Sequence, residues 1–336
     1  MQDFALDDLD QRLIHAIQIS PRAAWTALAP IVGVDAVTLA RRWARLRETG
    51  LVYATGYATG GPGAIALIEI ECTPGETLDV AAALIHDPQA VSIDITAGGR
   101  DIVVTLAAPG PAALSQWTLE RIRGVGHVRT MRTHLVSHTL ADASSWRLRA
   151  LTTAEAAAVT AIEPAAPVRP PRLTPEARIG LLAALGADGR ASASAIGAAI
   201  GVSAQRVRNA ILAMRRSGQL AIRVDVARAQ TPWPISAWYF LRVPSAMVAQ
   251  IGPLLTRLDE VRLVVNTVGQ YNVIMAVWLR TLQDVGRLEA IIEDRLPGVT
   301  IVDRSVVLRT VKHMGHFLDA GGFATGEAVP IPYTMN

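Results

Sequence analysis

Apolar residues recur at helical spacing near the start of the chain. Leu9, Leu13, Ile14 and Ile17 share one face, with Asp7 or Asp8 placed to cap a helix and Ser20-Pro21 to end it. Leu28 and Val32, four apart, predict a second short helix over 25–32. Leu39, Trp43 and Leu46 predict a third, capped by Asp35 and stopped by Gly50. Gly33 falls between the last two, where a sharp turn favours a residue free to take positive φ. Leu51-Val52-Tyr53 then begins an extended segment. Three short helices with a Gly turn before the third, followed by strands, follow the plan of a helix-turn-helix head.

The pattern returns 168 positions later without a gap. Leu181, Leu182 and Leu185 repeat Leu13, Ile14 and Ile17, Arg190 repeats Arg22, Gly201-Val202 repeats Gly33-Val34, and Arg215 and Gly218 repeat Arg47 and Gly50. Ile196 and Ile200, then Val207, Ile211 and Met214, supply the second and third helices of this copy. The chain is therefore read as an internal duplication.

Short apolar or alternating runs follow each head. After the first come 64–72, a helix over 77–86, 91–106, a helix over 111–123, and 127–136. After the second come 236–243, a helix near 245–258, 261–279, a helix near 281–295, and 299–309. This order reads as β-α-β-β-α-β, a ferredoxin-like body with an antiparallel sheet. The fold class expected is α+β: two tandem units, each a helix-turn-helix head plus a ferredoxin-like sensing body. The expected boundaries are 1–53 and 173–224 for the heads, 60–140 and 234–315 for the bodies, 141–172 for a linker and 316–336 for a tail. Thr152 and Glu155 have capping-box spacing and predict a brief helix in the linker, while the proline-rich 163–175 predicts an extended spacer. The Gly- and Pro-containing tail is expected to be loosely ordered.

Composition narrows the class. With 336 residues, 51% of them hydrophobic and 18% charged, the chain is globular and long enough for several cores. No apolar run approaches the ~18 residues of a membrane span. The lone Cys72 and the lack of a leader-like start lead us to expect a cytoplasmic protein. Net charge is only +3, yet the positive charge is almost all arginine, Lys312 being the one lysine. It gathers on the third helix of each head, where a helix burying Leu39, Trp43 and Leu46 must present Thr38, Arg41, Arg42 and Arg45 on its other side. In the second head, burying Val207, Ile211 and Met214 leaves Gln205, Arg206, Arg208 and Asn209 outward. Arginine can bind guanine through two hydrogen bonds, and Asn or Gln can pair with adenine, so these eight residues are the expected contacts with double-stranded DNA. The two sets differ, which predicts two non-identical half-sites. His134/His138 and His313/His316 lack Cys or acid partners at ligand spacing, so no metal site, catalytic set or cofactor is expected.

A helix-turn-helix head joined to a β-α-β-β-α-β body resembles the leucine-responsive and asparagine-synthetase regulator (Lrp/AsnC) family of transcription factors. The likeness rests on "LDDLDQRLIHAI" at 6–17, on Gly33-Val34-Asp35, Arg41-Arg42, Leu46 and Gly50-Leu51, and on the loops "GGRD" at 98–101 and "GQYN" at 269–272. Arg100 replaces the loop aromatic in the first copy, and Asn272 the loop acid in the second. The resemblance implies that Gly98, Gly99 and Asp101, with Gly269, Tyr271 and Asn272, bind a small effector such as an amino acid between paired bodies, and that the protein is a homo-oligomer. The function expected is thus a sequence-specific, effector-responsive transcriptional regulator rather than an enzyme. Sirohaem decarboxylases of alternative haem synthesis resemble the same family and form the rival reading. They carry His and Tyr near the head, whereas the third helices here are Arg-rich and contain neither. A small-molecule-binding module without DNA contact is a third reading.

Overall fold

Asp7 opens the first helix as its position predicts, its carboxylate accepting from the Asp10 amide, and α1 runs Asp8–Ile19. In the computed structural model, which describes residues 6–59, 63–142, 146–163, 171–255 and 257–332, α2 (Trp25–Val32) and α3 (Ala36–Glu48) follow. Gly33 between them takes φ 85°, a left-handed conformation in which a Cβ would be strained. Leu13, Ile14, Ile17, Leu28, Leu39, Trp43 and Leu46 are all buried in this head's core, as their spacing predicts. Next come β1 (Val52–Ala58) and a body of β2 (Ala64–Cys72), α4 (Thr77–Ile85), β3 (Ala90–Thr96), β4 (Ile102–Ala108), α5 (Pro111–Leu119) and β5 (Val128–Ala141).

The second unit repeats the order. Its head is α7 (Pro175–Ala187), α8 (Ala193–Ile200), α9 (Ala204–Arg216) and β6 (Leu220–Val226), with Gly201 at φ 71° in the turn. Its body is β7 (Ile235–Arg242), α10 (Val248–Leu255), β8 (Val261–Val268), β9 (Val273–Leu279), α11 (Asp284–Arg295) and β10 (Thr300–His313).

Three findings depart from the expected boundaries. The heads do not stop at 53 and 224, because β1 and β6 run on and pair with each other, antiparallel, from Val52↔Val226 to Ala58↔Leu220. Val224 and Val226 accordingly sit in the first head's core and Ala58 packs against the second's, so each head borrows from the other's strand. The span after β5 is not simply a spacer. Thr152 and Glu155 make the reciprocal capping box of α6 (Thr153–Ala161), whose Val159 is buried in the first head and whose Glu155 pairs with Arg12 at 2.6 Å. Residues 164–170 of the proline-rich stretch lie outside the described residues. Nor is the tail loose: β11 (His316–Leu318) and β12 (Ala324–Ala328) form a hairpin on the tip of β10, the Ala324 amide donates to the Gly50 carbonyl, and Pro330 packs beside Gly186. Backbone hydrogen bonds to the first head and contact with the second fix what composition alone left free.

The bodies close on each other. Within each, the last strand pairs the first, giving orders β5-β2-β4-β3 and β10-β7-β9-β8. β5 and β10 are both 14 residues long and cross the junction: β5 leaves β2 to pair β8, and β10 leaves β7 to pair β3. Each of these eight strands is paired on both sides, so they make a ring, and the tail hairpin leaves β12 as the outer strand of the sheet. Strand periodicity divides its faces. Ala66, Ile68 and Ile70 turn outward under α4 and α5, while Leu67 turns inward to meet Trp238, Phe240, Val265 and Ile274 of the other body.

Candidate nucleic-acid interface and body seam

The heads are joined by a reciprocal clasp. Arg22 donates to the Gly189 and Ala191 carbonyls, both at 2.9 Å, and its repeat counterpart Arg190 donates to the Pro21 and Ala23 carbonyls at 2.5 and 3.1 Å. Donors and acceptors exchange under the 168-residue offset, as they would across a two-fold interface. The β1–β6 pairing obeys the same symmetry, its centre lying at Thr55↔Arg223, a residue and its own repeat. Arg190 also stacks on Trp25 at 4.1 Å, and burial together with nearby Arg22 lowers it to about 10. A cleft of about 580 Å³ opens here beside the start of α3, lined by Arg22, Trp25, Val37, Ala40 and Arg190.

The predicted DNA-facing residues are on α3 and α9, with unequal freedom. Arg41 is exposed. Arg42 donates to Asp7 at 2.6 Å and to Asp10 at 2.9 Å, and Arg45 donates to Asp10 at 2.5 Å, so both are held by α1. Asp10 is 1% exposed and takes both guanidiniums. Burial pushes the Asp7 carboxyl up, but the Arg42 hydrogen bond and charge outweigh it and hold it below its ordinary value. Thr38 gives its hydroxyl to Asp35 at 2.7 Å. On α9, Gln205 links its neighbours, donating to Asn209 at 2.9 Å and accepting from Arg208 at 2.7 Å, on an exposed face. Arg206 donates to the Arg172 carbonyl. Arg47 and Arg215, at the helix ends, pair with Asp188 and Glu163.

The predicted effector loops lie at the junction of the bodies, and their acidic and amide side chains have backbone partners. Asp101 accepts from the Cys72 amide at 2.7 Å. Asn272 accepts from the Val243 amide at 2.8 Å and donates to the Val243 carbonyl at 2.7 Å. In both bodies this residue fastens the loop to the end of the first strand, which accounts for its type without a ligand. Gly98 and Gly99 lie against the opposite body, where a Cβ on Gly98 would sit 3.4 Å from Ser305 Oγ, and Gly269 lies above His134.

Sequence reasoning missed what these loops enclose. Arg100, 3% exposed, donates to Glu69 at 2.5 Å and, across the junction, to Ser305 at 2.5 Å and Asp303 at 2.6 Å, with its guanidinium 3.9 Å above the Phe240 ring. Glu69 shares its other oxygen with His134 Nε2 at 2.5 Å. Burial raises the Glu69 pKa, and hydrogen bonds from His134 and Arg100 more than reverse it, so the carboxyl is held low. The Tyr271 ring closes on His134 at 5.4 Å and Phe240 at 5.2 Å. The available signal was Glu69 itself, an acid on the inward parity of the apolar run 64–72.

A second polar cluster lies under the heads. Tyr53, Thr55, Arg223 and Asp225 share one face of the β1–β6 pair. Arg223 donates to Asp225 at 2.5 Å, His313 comes within 3.5 Å of the same carboxylate, and the Tyr53 ring lies 4.4 Å from His316. Burial would raise the Asp225 carboxyl, but Arg223 and His313 hold it well below the usual range. Among the described residues, Thr55 Oγ1, Arg223 Nε and Asp225 Oδ2 are buried without a hydrogen-bond partner.

Residues 6–47 match the AsnC-type helix-turn-helix domain, and 65–146 match the Lrp/AsnC ligand binding domain. The first half of the chain is an Lrp/AsnC unit. Its relatives include the HTH-type transcriptional regulator AldR of Mycolicibacterium smegmatis, 28% identical over 148 residues, which cover 41% of this chain and 85% of AldR. Another is the HTH-type transcriptional regulator FL11 of Pyrococcus furiosus, 27% identical over 132 residues, or 38% of this chain and 87% of that one. Across both halves the chain has the fold of the siroheme decarboxylase NirDL, with TM-score 0.58 and 14% identity over 91% of this chain and 93% of that one. The two-unit fold therefore extends through the second half as well. Among the described residues no helix is long and apolar enough to cross a membrane, and no group of three or more His, Cys, Asp or Glu side chains is placed to hold a metal ion.

Proposed function

We propose that the chain is a DNA-binding regulator in which one polypeptide supplies both heads of a two-fold reader. The reciprocal Arg22/Arg190 clasp and the β1–β6 pairing carry this reading, since they set two helix-turn-helix heads about a pseudo-dyad within one chain. Two-fold readers place their recognition helices about 34 Å apart, one turn of duplex, usually by dimerising. The outward residues differ between heads: Arg41 on α3, and the Gln205/Arg208/Asn209 group on α9. The half-sites read would accordingly be unequal. The seam of the bodies, with its two loops, is the place for a small effector, an amino acid being the class that the family resemblance suggests. The test is footprinting on the DNA upstream of the protein's own gene with wild type, Arg41→Ala and Arg208→Ala at two salt concentrations. Protection that each variant weakens on a different side supports the reading, and protection indifferent to both sinks it.

One observation favours a second reading. Tyr53, Arg223, His313 and His316 gather beneath the heads, and NirDL, whose fold this chain shares, is a siroheme decarboxylase. Half-buried Arg223 and His313 beside buried Tyr53 and His316 suit the carboxylates of a tetrapyrrole, where loss of each CO2 requires a proton in its place. Adding sirohaem and following the Soret band together with released CO2 separates this from the regulator reading.

A further inference from the structure

We infer that Arg100 is a built-in ligand of a guanidinium site at the body seam, so that the first loop is filled by the chain itself. The acceptors come from both bodies: Glu69 from β2, and Asp303 and Ser305 from β10, at 2.5, 2.6 and 2.5 Å, with Phe240 of β7 as a platform 3.9 Å from the guanidinium carbon. Two carboxylates, a hydroxyl and an aromatic face are the set a planar, five-donor cation requires, and each of the three guanidinium nitrogens has an acceptor. The side chain is carried on a loop whose glycines allow this approach: Gly98 takes φ 112°, and Gly99 lies against Asp303. It reaches the seam from one body and is bound mainly by the other, which is the relation of a ligand to a site rather than of a core residue to its own sheet.

The matching loop of the second body is built differently. Tyr271 stands where Arg100 stands in the first, and beside it His134 gives Nε2 to Glu69 while its buried Nδ1 has no hydrogen-bond partner among the described residues. At the first loop the tether keeps the internal guanidinium at very high effective concentration, so a free small molecule cannot compete there and only the second loop is left to one. The chain should respond to one effector molecule, not two. The one-effector consequence rests on the effector reading above, whereas the guanidinium site rests on the bodies alone and stands whether or not the heads bind DNA.

The test uses the full chain with Arg100→Ala and methylguanidinium as probe. Thermal unfolding of the variant is expected to begin well below wild type and to shift upward with millimolar methylguanidinium, but not with equal sodium or tetramethylammonium chloride, while wild type does not respond. Calorimetry should give one methylguanidinium per variant chain and none for wild type. Asp303→Asn in the Arg100→Ala background should weaken that binding at least tenfold. Equal shifts with all three salts, or binding to wild type with the variant's affinity, overturn the inference. A variant that refolds neither with nor without methylguanidinium overturns it too, because a site that exists only with its own tether is not a ligand site.

Discussion

At the scale of single residues, the arginines of the two third helices divide by partner rather than by position. Arg41 is exposed, and its replacement by alanine should weaken protection of the first head's half-site and relax base preference there, while leaving stability within about 0.5 kcal/mol of wild type. Arg42→Ala should instead destabilise the first head by about 1–3 kcal/mol, because it leaves the 1%-exposed Asp10 with Arg45 alone, and chemical unfolding of the two variants side by side checks the contrast. Two buried histidines set a pH dependence. Burial lowers both His15 and His316 to about 4, against about 6.5 unfolded, and His15 accepts from the Leu151 amide in its neutral form. Between pH 6.5 and 4 the unfolded chain binds the extra proton, so this stability is full above 6.5 and is lost as pH falls through that window. At pH 5 the loss is about 2 kcal/mol per histidine, at 1.36 kcal/mol per pH unit. Unfolding curves at pH 7.5 and 5 should show it, and His316→Gln should recover about half.

At the scale of elements, the clasp between heads is the feature with most leverage. Arg22→Ala and Arg190→Ala each release two carbonyls from charged donors, and Arg190→Ala also removes the stack on Trp25, so it should cost more, at about 2–4 kcal/mol against 1–3. Hydrogen exchange at the β1–β6 amides should rise in both variants. The helices of each head were legible in the sequence because period 3.6, an Asp cap and a Gly turn are all written within a few residues of one another. The clasp was visible only as a matched pair of arginines, since what each one touches lies in the other copy, 167 or 169 positions away. The helical wheel found the outward faces of α3 and α9 but could not tell that α1 would take Arg42 and Arg45. The loops at 98–101 and 269–272 were read through their glycines, whereas Asp101 and Asn272 answer to strand-end amides that no local pattern marks. The order of the tail is not legible in its own composition because it comes from Gly50, Gly315 and Gly186, none of them near it in the chain apart from Gly315.

At the scale of the whole molecule, the two halves are joined by far more than the connecting peptide. The β1–β6 pair, the β5–β8 and β10–β3 pairings and the shared interior of the ring all cross between them. A protease cut between 163 and 171 should therefore leave both fragments together in gel filtration, and they should separate only in denaturant. The closed ring also has a consequence for synthesis. β3 ends at residue 96, and the β10 residues that cover it begin at Val307, about 210 residues later. At roughly 5–20 residues per second on the ribosome, that edge is bare for about 10–40 s. During that interval the nascent first body presents an uncovered strand to any neighbour on the same messenger, and a second nascent chain carries the same one. Slowing translation of the second half should favour exchanged pairs of chains over self-closed ones.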